Sequence, residues 1–196
     1  MLRILVPPAL VFCAPLYRET GLLFGWLYIG IPHMIPLFFV LIWSGILSFV
    51  TFWIVLFTGR FPERIFSFQL KVQNWYLRLT ASLQNLVDGY PAIGLKGTSE
   101  KVTLELERPE KVSRVLVLVR GIFGIFYVMI PHGFALGFRG IGTGVLTFLA
   151  FWAVLFTGRY PENWHAFNVG TIRWNTRVDL YLGFYTDEYP KFSGLE

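Results

Sequence analysis

The sequence predicts an all-α integral membrane protein made by tandem duplication, with two parallel helical hairpins (about four transmembrane helices), each followed by an amphipathic interfacial helix. Three observations predict it. Of the 196 residues 55% are hydrophobic and only 15% charged, outside the range of ordinary soluble domains. Residues 21–58 contain no Asp, Glu, Lys or Arg, and apolar runs of about 18 or more residues read as membrane spans. The string FTGRFPE at 57–63 returns as FTGRYPE at 156–162, each time where an apolar run gives way to a basic, aromatic segment.

Aligned at that motif, the halves keep one register without a gap. At a spacing of 99, Ile31-Pro32-His33 falls on Ile130-Pro131-His132, Phe52-Trp53 on Phe151-Trp152, Trp75 on Trp174, and Tyr90-Pro91 on Tyr189-Pro190. About 26 of the 61 positions between 31 and 91 are identical to their counterparts. Self-similarity at a fixed period marks one structural unit used twice.

The first apolar stretch is too long for one straight span. Its 38 positions would reach about 57 Å as a helix, against a hydrocarbon core of about 30 Å. It is therefore divided into a span over 21–38, interrupted by Pro32 and Pro36, and a second over about 40–57, with a turn near 36–41. In the second half the turn is expected at Arg139-Gly140, between apolar stretches at about 115–138 and 141–156. At the corner, Gly59 and Gly158 suit the left-handed residue just past a helix, and Pro62 and Pro161 suit the first turn of the next. Arg60 and Arg159 then stand where a guanidinium can meet lipid phosphate bidentately.

Past the first corner, Ile65, Phe68, Val72, Trp75, Leu79, Leu83 and Leu86 recur at helical spacing, with Arg64, Lys71, Asn74 and Arg78 on the other side. A basic face opposite an aromatic-rich apolar stripe describes a helix in the membrane interface. A groove on partner protein uses the same stripe. Residues 96–114 are polar, and Val102, Leu104 and Leu106 alternate with Thr103, Glu105 and Glu107 as in a short surface strand. The division is thus a membrane-associated segment at 1–20, a first repeat at 21–95, a polar linker at 96–114 and a second repeat at 115–196. The start carries one arginine and an apolar run broken by Pro7, Pro8 and Pro15, without a clean cleavage site, and reads as a retained segment on the bilayer.

A net charge of +5 with a sequence pI near 9.5 points to lipid headgroups rather than nucleic acid, because the basic residues flank apolar runs. The basic residues after both corners favour one cytoplasmic side for both interfacial helices and the linker, which an even number of crossings per repeat satisfies. The headgroup-binding candidates are Arg60, Arg64, Lys71, Arg78, Arg159, Arg173 and Arg177. The structural corner residues are Gly59, Pro62, Gly158 and Pro161.

The combination of IPH, an apolar run ending in FW-x-x-LFTGR[FY]P, and an aromatic-basic helix ending in D-x-YP resembles the bacterial membrane proteins grouped as domain-of-unknown-function family 4389. The resemblance covers roughly 25–95 and 111–193, as two copies. Before the second copy, Leu104-Glu105-Leu106 and Arg108-Pro109-Glu110-Lys111-Val112-Ser113-Arg114 are similar to the family's strand-like lead-in, which the first copy lacks. The resemblance implies a multi-pass architecture in the bacterial cytoplasmic (inner) membrane and brings no chemistry with it.

The residues themselves show little chemistry. The single cysteine, Cys13, excludes an internal disulfide and multi-cysteine metal clusters. His33 and His132 occupy equivalent places and would be the ligands of a b-type haem if they faced one another. Read plainly, each marks a proline kink, and no cofactor is expected. Arg120 reads as a side chain snorkelling to headgroups. Trp43, Trp53, Trp152, Trp164 and Trp174 read as interface anchors. Gly121, Gly124 and the run Gly137, Gly140, Gly142, Gly144 read as places for close helix approach. No nucleophile–base set is visible. The expectation is a non-enzymatic scaffold or accessory subunit of a larger membrane complex, bound to anionic lipid and other membrane subunits. Lipid handling or membrane sensing is the alternative function, and a haem electron carrier a remote one.

Overall fold

The computed structural model of the chain describes residues 3–4, 15–87 and 89–195, with side chains described from residue 27 onward. One helix, α1, runs unbroken from Pro15 to Thr58, with Pro32 and Pro36 inside it. The second half opens with α3 (Arg114–Gly124), widens into one π-helical stretch (Ile125–Met129), and continues as α4 (Ile130–Thr157). The expected turns at 36–41 and at Arg139-Gly140 are absent, so two long helices replace the four spans.

The physical reason is that a helix satisfies its own backbone, and an apolar stretch offers no other partner for a carbonyl freed at a turn. Proline removes one donor, and a locally widened turn absorbs that loss. Just before Pro131 this is visible, where the Ile130 amide reaches back to the Ile125 carbonyl. Arg139 marks no turn because its charge is met within the fold. Its Nε donates to Thr171 Oγ1 at 2.8 Å, its Nη2 to the Phe167 carbonyl at 3.1 Å, and its guanidinium lies 4.2 Å above the Phe167 ring.

After each corner the chain returns along the helix it has just left. α2 (Glu63–Leu83) packs on α1, and α5 (Glu162–Leu182) packs on α4. Gln69 of α2 donates to Ser48 Oγ at 2.8 Å and Trp75 to His33 at 2.9 Å, so α2 runs back beside α1. Val72, Trp75 and Leu79 of the expected apolar stripe are buried within the chain, as is Leu86 just past the helix. That corrects the picture of a stripe laid on lipid: it covers a protein groove supplied by α1. Burial of such side chains contributes roughly 1.5–3 kcal/mol each.

The linker is no free surface arm. Val102, Leu104 and Val112 are buried in the main core. The Asn74 side chain brackets Leu104, accepting from its amide at 2.7 Å and donating to its carbonyl at 2.9 Å. The expected strand is present in short form as β2 (Leu104–Glu105), paired antiparallel with β1 (Arg3–Ile4). The rest of the expected membrane-associated segment through residue 14 lies outside the described residues, as does Asp88.

Each helix boundary in the second half lies 99 residues after its counterpart, at 15/114, 58/157, 63/162 and 83/182. The two halves meet head to tail. Val112 donates to the Gly59 carbonyl at 2.9 Å, and a Cβ on Gly121 would collide with the Phe52 ring. The end of α1 therefore lies beside the start of α3, and the long helices run antiparallel where they touch. This corrects the parallel arrangement. The second corner stands at the far end of α4 and beside the end of α2, where His165 Nε2 lies 3.1 Å from the Leu86 carbonyl. Gly121, Gly124 and Gly142 do face neighbouring side chains, whereas a Cβ added at Gly137, Gly140 or Gly144 would meet nothing within 4 Å.

Candidate functional site

Each FTGR[FY]PE corner is built the same way. Gly59 and Gly158 have φ of 68° and 72°, which glycine adopts without the Cβ clash other residues meet. Their amides close the helix ends on the Val55 and Val154 carbonyls at 2.7 and 2.9 Å. Thr58 Oγ1 donates to the Ile54 carbonyl at 2.7 Å and accepts from the Arg60 amide at 3.2 Å. Thr157 repeats this with Ala153 at 2.6 Å and Arg159 at 3.3 Å. Phe61 and Tyr160 turn inward and are buried. Pro62 and Pro161 stand at the N-caps of α2 and α5, and Glu63 and Glu162 complement the positive helix ends.

The seven basic candidates do not form one set. Arg60, Arg64, Lys71 and Arg159 are exposed, while Arg173 and Arg177 are half-buried. Arg78 is buried, with 4% exposure, and its Nη2 donates to the Gly94 carbonyl at 3.0 Å. Burial lowers its pKa from the ordinary arginine value. Arg177, its counterpart, likewise donates to the Ser193 carbonyl at 3.1 Å. These two arginines hold the segment that follows each returning helix, which takes Arg78 out of any headgroup surface.

His33 and His132 are each fully buried. Trp75 Nε1 donates to His33 Nδ1 at 2.9 Å, and Trp174 Nε1 donates to His132 Nδ1 at 2.9 Å. A neutral imidazole accepting at Nδ1 carries its proton on Nε2. Each ring is enclosed by aromatics of its own half: Tyr90 lies 5.4 Å from His33, and Phe192 stacks on His132 at 3.9 Å. Paired haem ligation needs two imidazoles aimed at one iron, and each of these is instead bonded to the tryptophan of its own half. Trp75 and Trp174 act as donors in the core, so Trp174 is no interface anchor. Trp43, Trp53 and Trp152 are exposed.

Arg120 does not snorkel. Its side chain is fully buried, paired with Asp187, and donates to the Tyr181 and Thr186 carbonyls at 2.8 and 2.7 Å. Asp187 also accepts from the Ser113 amide at 2.9 Å. The isolated arginine in the sequence gives no hint of a partner 67 residues away.

A long stretch of the described surface is apolar. From Leu27 to Phe57 the outward positions of α1 are hydrophobic residues, proline or glycine, including Phe38, Phe39, Trp43, Phe49 and Trp53. From Val115 to Phe156 the outward side of α3 and α4 is also uncharged, with Phe126, Phe134, Phe138 and Phe148 exposed. Both long helices are long and apolar enough to cross a membrane. Among the described residues no group of three or more His, Cys, Asp or Glu converges as a metal site would. No curated protein and no solved structure matches the chain. Residues 116–194, which hold the second long helix, α5 and the tail after it, match the family described as Domain of unknown function (DUF4389), and that match covers the second half alone.

Proposed function

We propose that the chain is a non-enzymatic protein of the bacterial cytoplasmic membrane, built from two copies of one unit. In this reading its long helices lie along one leaflet. It serves as a scaffold or accessory subunit, holding neighbouring membrane proteins while its exposed basic residues contact anionic headgroups.

One observation carries the reading. The outward faces of α1 and of α3–α4 are uncharged for about 30 and 40 residues, while one exposed basic residue, Lys71, lies alongside the α1 run rather than beyond its end. Lys71 is exposed two residues from Gln69, which bonds Ser48, ten residues inside the end of α1 at Thr58. If α1 crossed the bilayer, that ammonium would travel into hydrocarbon, where a lysine costs about 2.5–3.5 kcal/mol or more. A helix lying in the leaflet keeps its apolar face about 5–10 Å deep and leaves α2 among the headgroups. The antiparallel halves support the same placement. Crossing helices would send the two corners to opposite faces, whereas a flat arrangement keeps Arg60, Arg64, Lys71 and Arg159 in one headgroup layer, as the positive-inside tendency favours. Equal boundaries, equal corners and equal His–Trp pairs at a spacing of 99 support the two-copy origin.

Depth measurement tests the placement. In a Cys13→Ser background, spin labels at positions 34, 42 and 50 are expected at one shallow depth in reconstituted vesicles. A profile that is deepest at 42 and shallow at both ends overturns the flat arrangement. Gentle extraction from native membranes tests the scaffold role: companion polypeptides are expected, and recovery of the chain alone as a monomer counts decisively against it.

A further inference from the structure

Between α2 and α5, with α1 as its floor, lies a cavity of about 430 Å³, within the size range of small-molecule sites. Its polar lining includes Ser48, Gln69, Tyr76, Asn175, Asp179 and Tyr185. Ser48, Gln69 and Tyr185 are satisfied by one another. Tyr185 donates to Gln69 Oε1 at 2.9 Å, and Gln69 Nε2 donates to Ser48. Asp179 is the exception. It is the only Asp, Glu, Lys, Arg or His in the lining, and its carboxylate receives one long hydrogen bond, from Asn175 Nδ2 at 3.3 Å. Among the described residues it forms no ion pair.

Three physical facts make that carboxylate unfavourable by itself. It is largely withdrawn from water, which raises its pKa from the ordinary 3.8 to about 6. It stands in the last turn of α5, where the negative end of the helix dipole opposes a second negative charge. The fold does not require it either, because the equivalent position of the first half, 99 residues earlier, is Thr80. A charge placed where symmetry puts a hydroxyl, aimed into a cavity and left without a counter-ion, calls for a cation from outside.

We propose that this cavity binds a primary ammonium group on the Asp179 carboxylate. A bare metal ion fits poorly, because one carboxylate and neutral amides provide few strong oxygen ligands and the space far exceeds an ion. An anion would meet only negative charge. An ammonium donates three hydrogen bonds, enough for Asp179 and neighbouring amide or hydroxyl oxygens, while leucine and valine side chains in the same lining suit a short alkyl stem. That chemistry occurs in free amines and in the ethanolamine headgroup of phospholipids.

Calorimetric titration of the detergent-purified full chain with ethanolamine and with putrescine, at pH 7.5, tests the free source. Native mass spectrometry from nanodiscs containing phosphatidylethanolamine, against phosphatidylcholine, tests the lipid source. Binding in either arm that is lost in Asp179→Asn and in Asp179→Thr supports the proposal, the arm telling which source is used. Affinity is also expected to fall about tenfold per pH unit below about 6, as the carboxylate takes up its proton. If no amine and no phosphatidylethanolamine distinguishes the wild-type chain from both variants, the proposal is overturned. The free-amine arm needs no membrane, so its outcome is independent of how the long helices sit in a bilayer.

Discussion

Gly59 shows how one residue fixes the direction of everything after it. Its positive φ ends α1 and starts the return of α2, and a Cβ there would also come 3.1 Å from Arg114 Nε. Gly59→Ala is therefore expected to destabilise the fold by about 1–2 kcal/mol, from left-handed strain plus crowding. Thermal unfolding in detergent measures it, and an unchanged midpoint would show that the corner tolerates a side chain. His33 and Trp75 act at the same scale. Trp75→Phe keeps the ring and leaves His33 Nδ1 buried without its donor, an expected loss of about 1–3 kcal/mol. A double-mutant cycle with His33→Leu should recover a coupling of about 0.5–3 kcal/mol, because the two groups matter to each other rather than to solvent.

At the scale of elements, the returning helices are where polar groups are buried and therefore where pH acts. Burial holds the Asp179 carboxyl at about 6, above its unfolded value near 3.8. Between those values the folded state binds more protons than the unfolded one, so this group makes stability rise as pH falls from about 6 towards 4 and lowers it above. The difference in unfolding free energy between wild type and Asp179→Asn is expected to change by on the order of 1–3 kcal/mol across that window. A pH-independent difference would mean the carboxylate is solvated like any other. The start of α3 carries the opposite case. Arg120 is fully buried against Asp187 at the end of the chain, and removing the carboxylate in Asp187→Ala leaves a buried cation with backbone acceptors only. A loss of about 2–4 kcal/mol follows, readable as a lowered unfolding midpoint.

At the scale of the molecule, the halves hold each other. Tyr185 bonds Gln69, His165 Nε2 lies 3.1 Å from the Leu86 carbonyl, and Phe52 fills the space that Gly121 leaves. A main core that draws Val55, Phe66 and Leu86 from one half and Val117, Val154 and Val169 from the other cannot close in either alone. Expressed separately, residues 1–98 and 99–196 are expected to be unstable, and to regain wild-type unfolding behaviour when co-expressed and purified together. A first half that folds cooperatively by itself would contradict this. The same antiparallel contact turns the topology from parallel hairpins into a head-to-tail pair.

Much of this is legible in the chain itself. The register at 99 follows from comparing the sequence with itself, and the corners at Gly59 and Gly158, the helical period from Ile65 to Leu86 and the short strand at Leu104 follow from local rules, because φ preference, capping and periodicity act within a few residues. What local rules cannot settle is which partner meets an exposed stripe or a lone charge. Arg139 reads as a turn and Arg120 as a surface group, because their partners, Thr171 and Asp187, lie 32 and 67 residues away. Pro36 reads as a break because the cost of a missing amide is visible in sequence while the continuous helix around it is not. Sequence alone determined the units and where each one bends. Only the tertiary structure decided that each half folds back on itself and meets the other head to tail, since that choice rests on contacts between residues far apart in the chain.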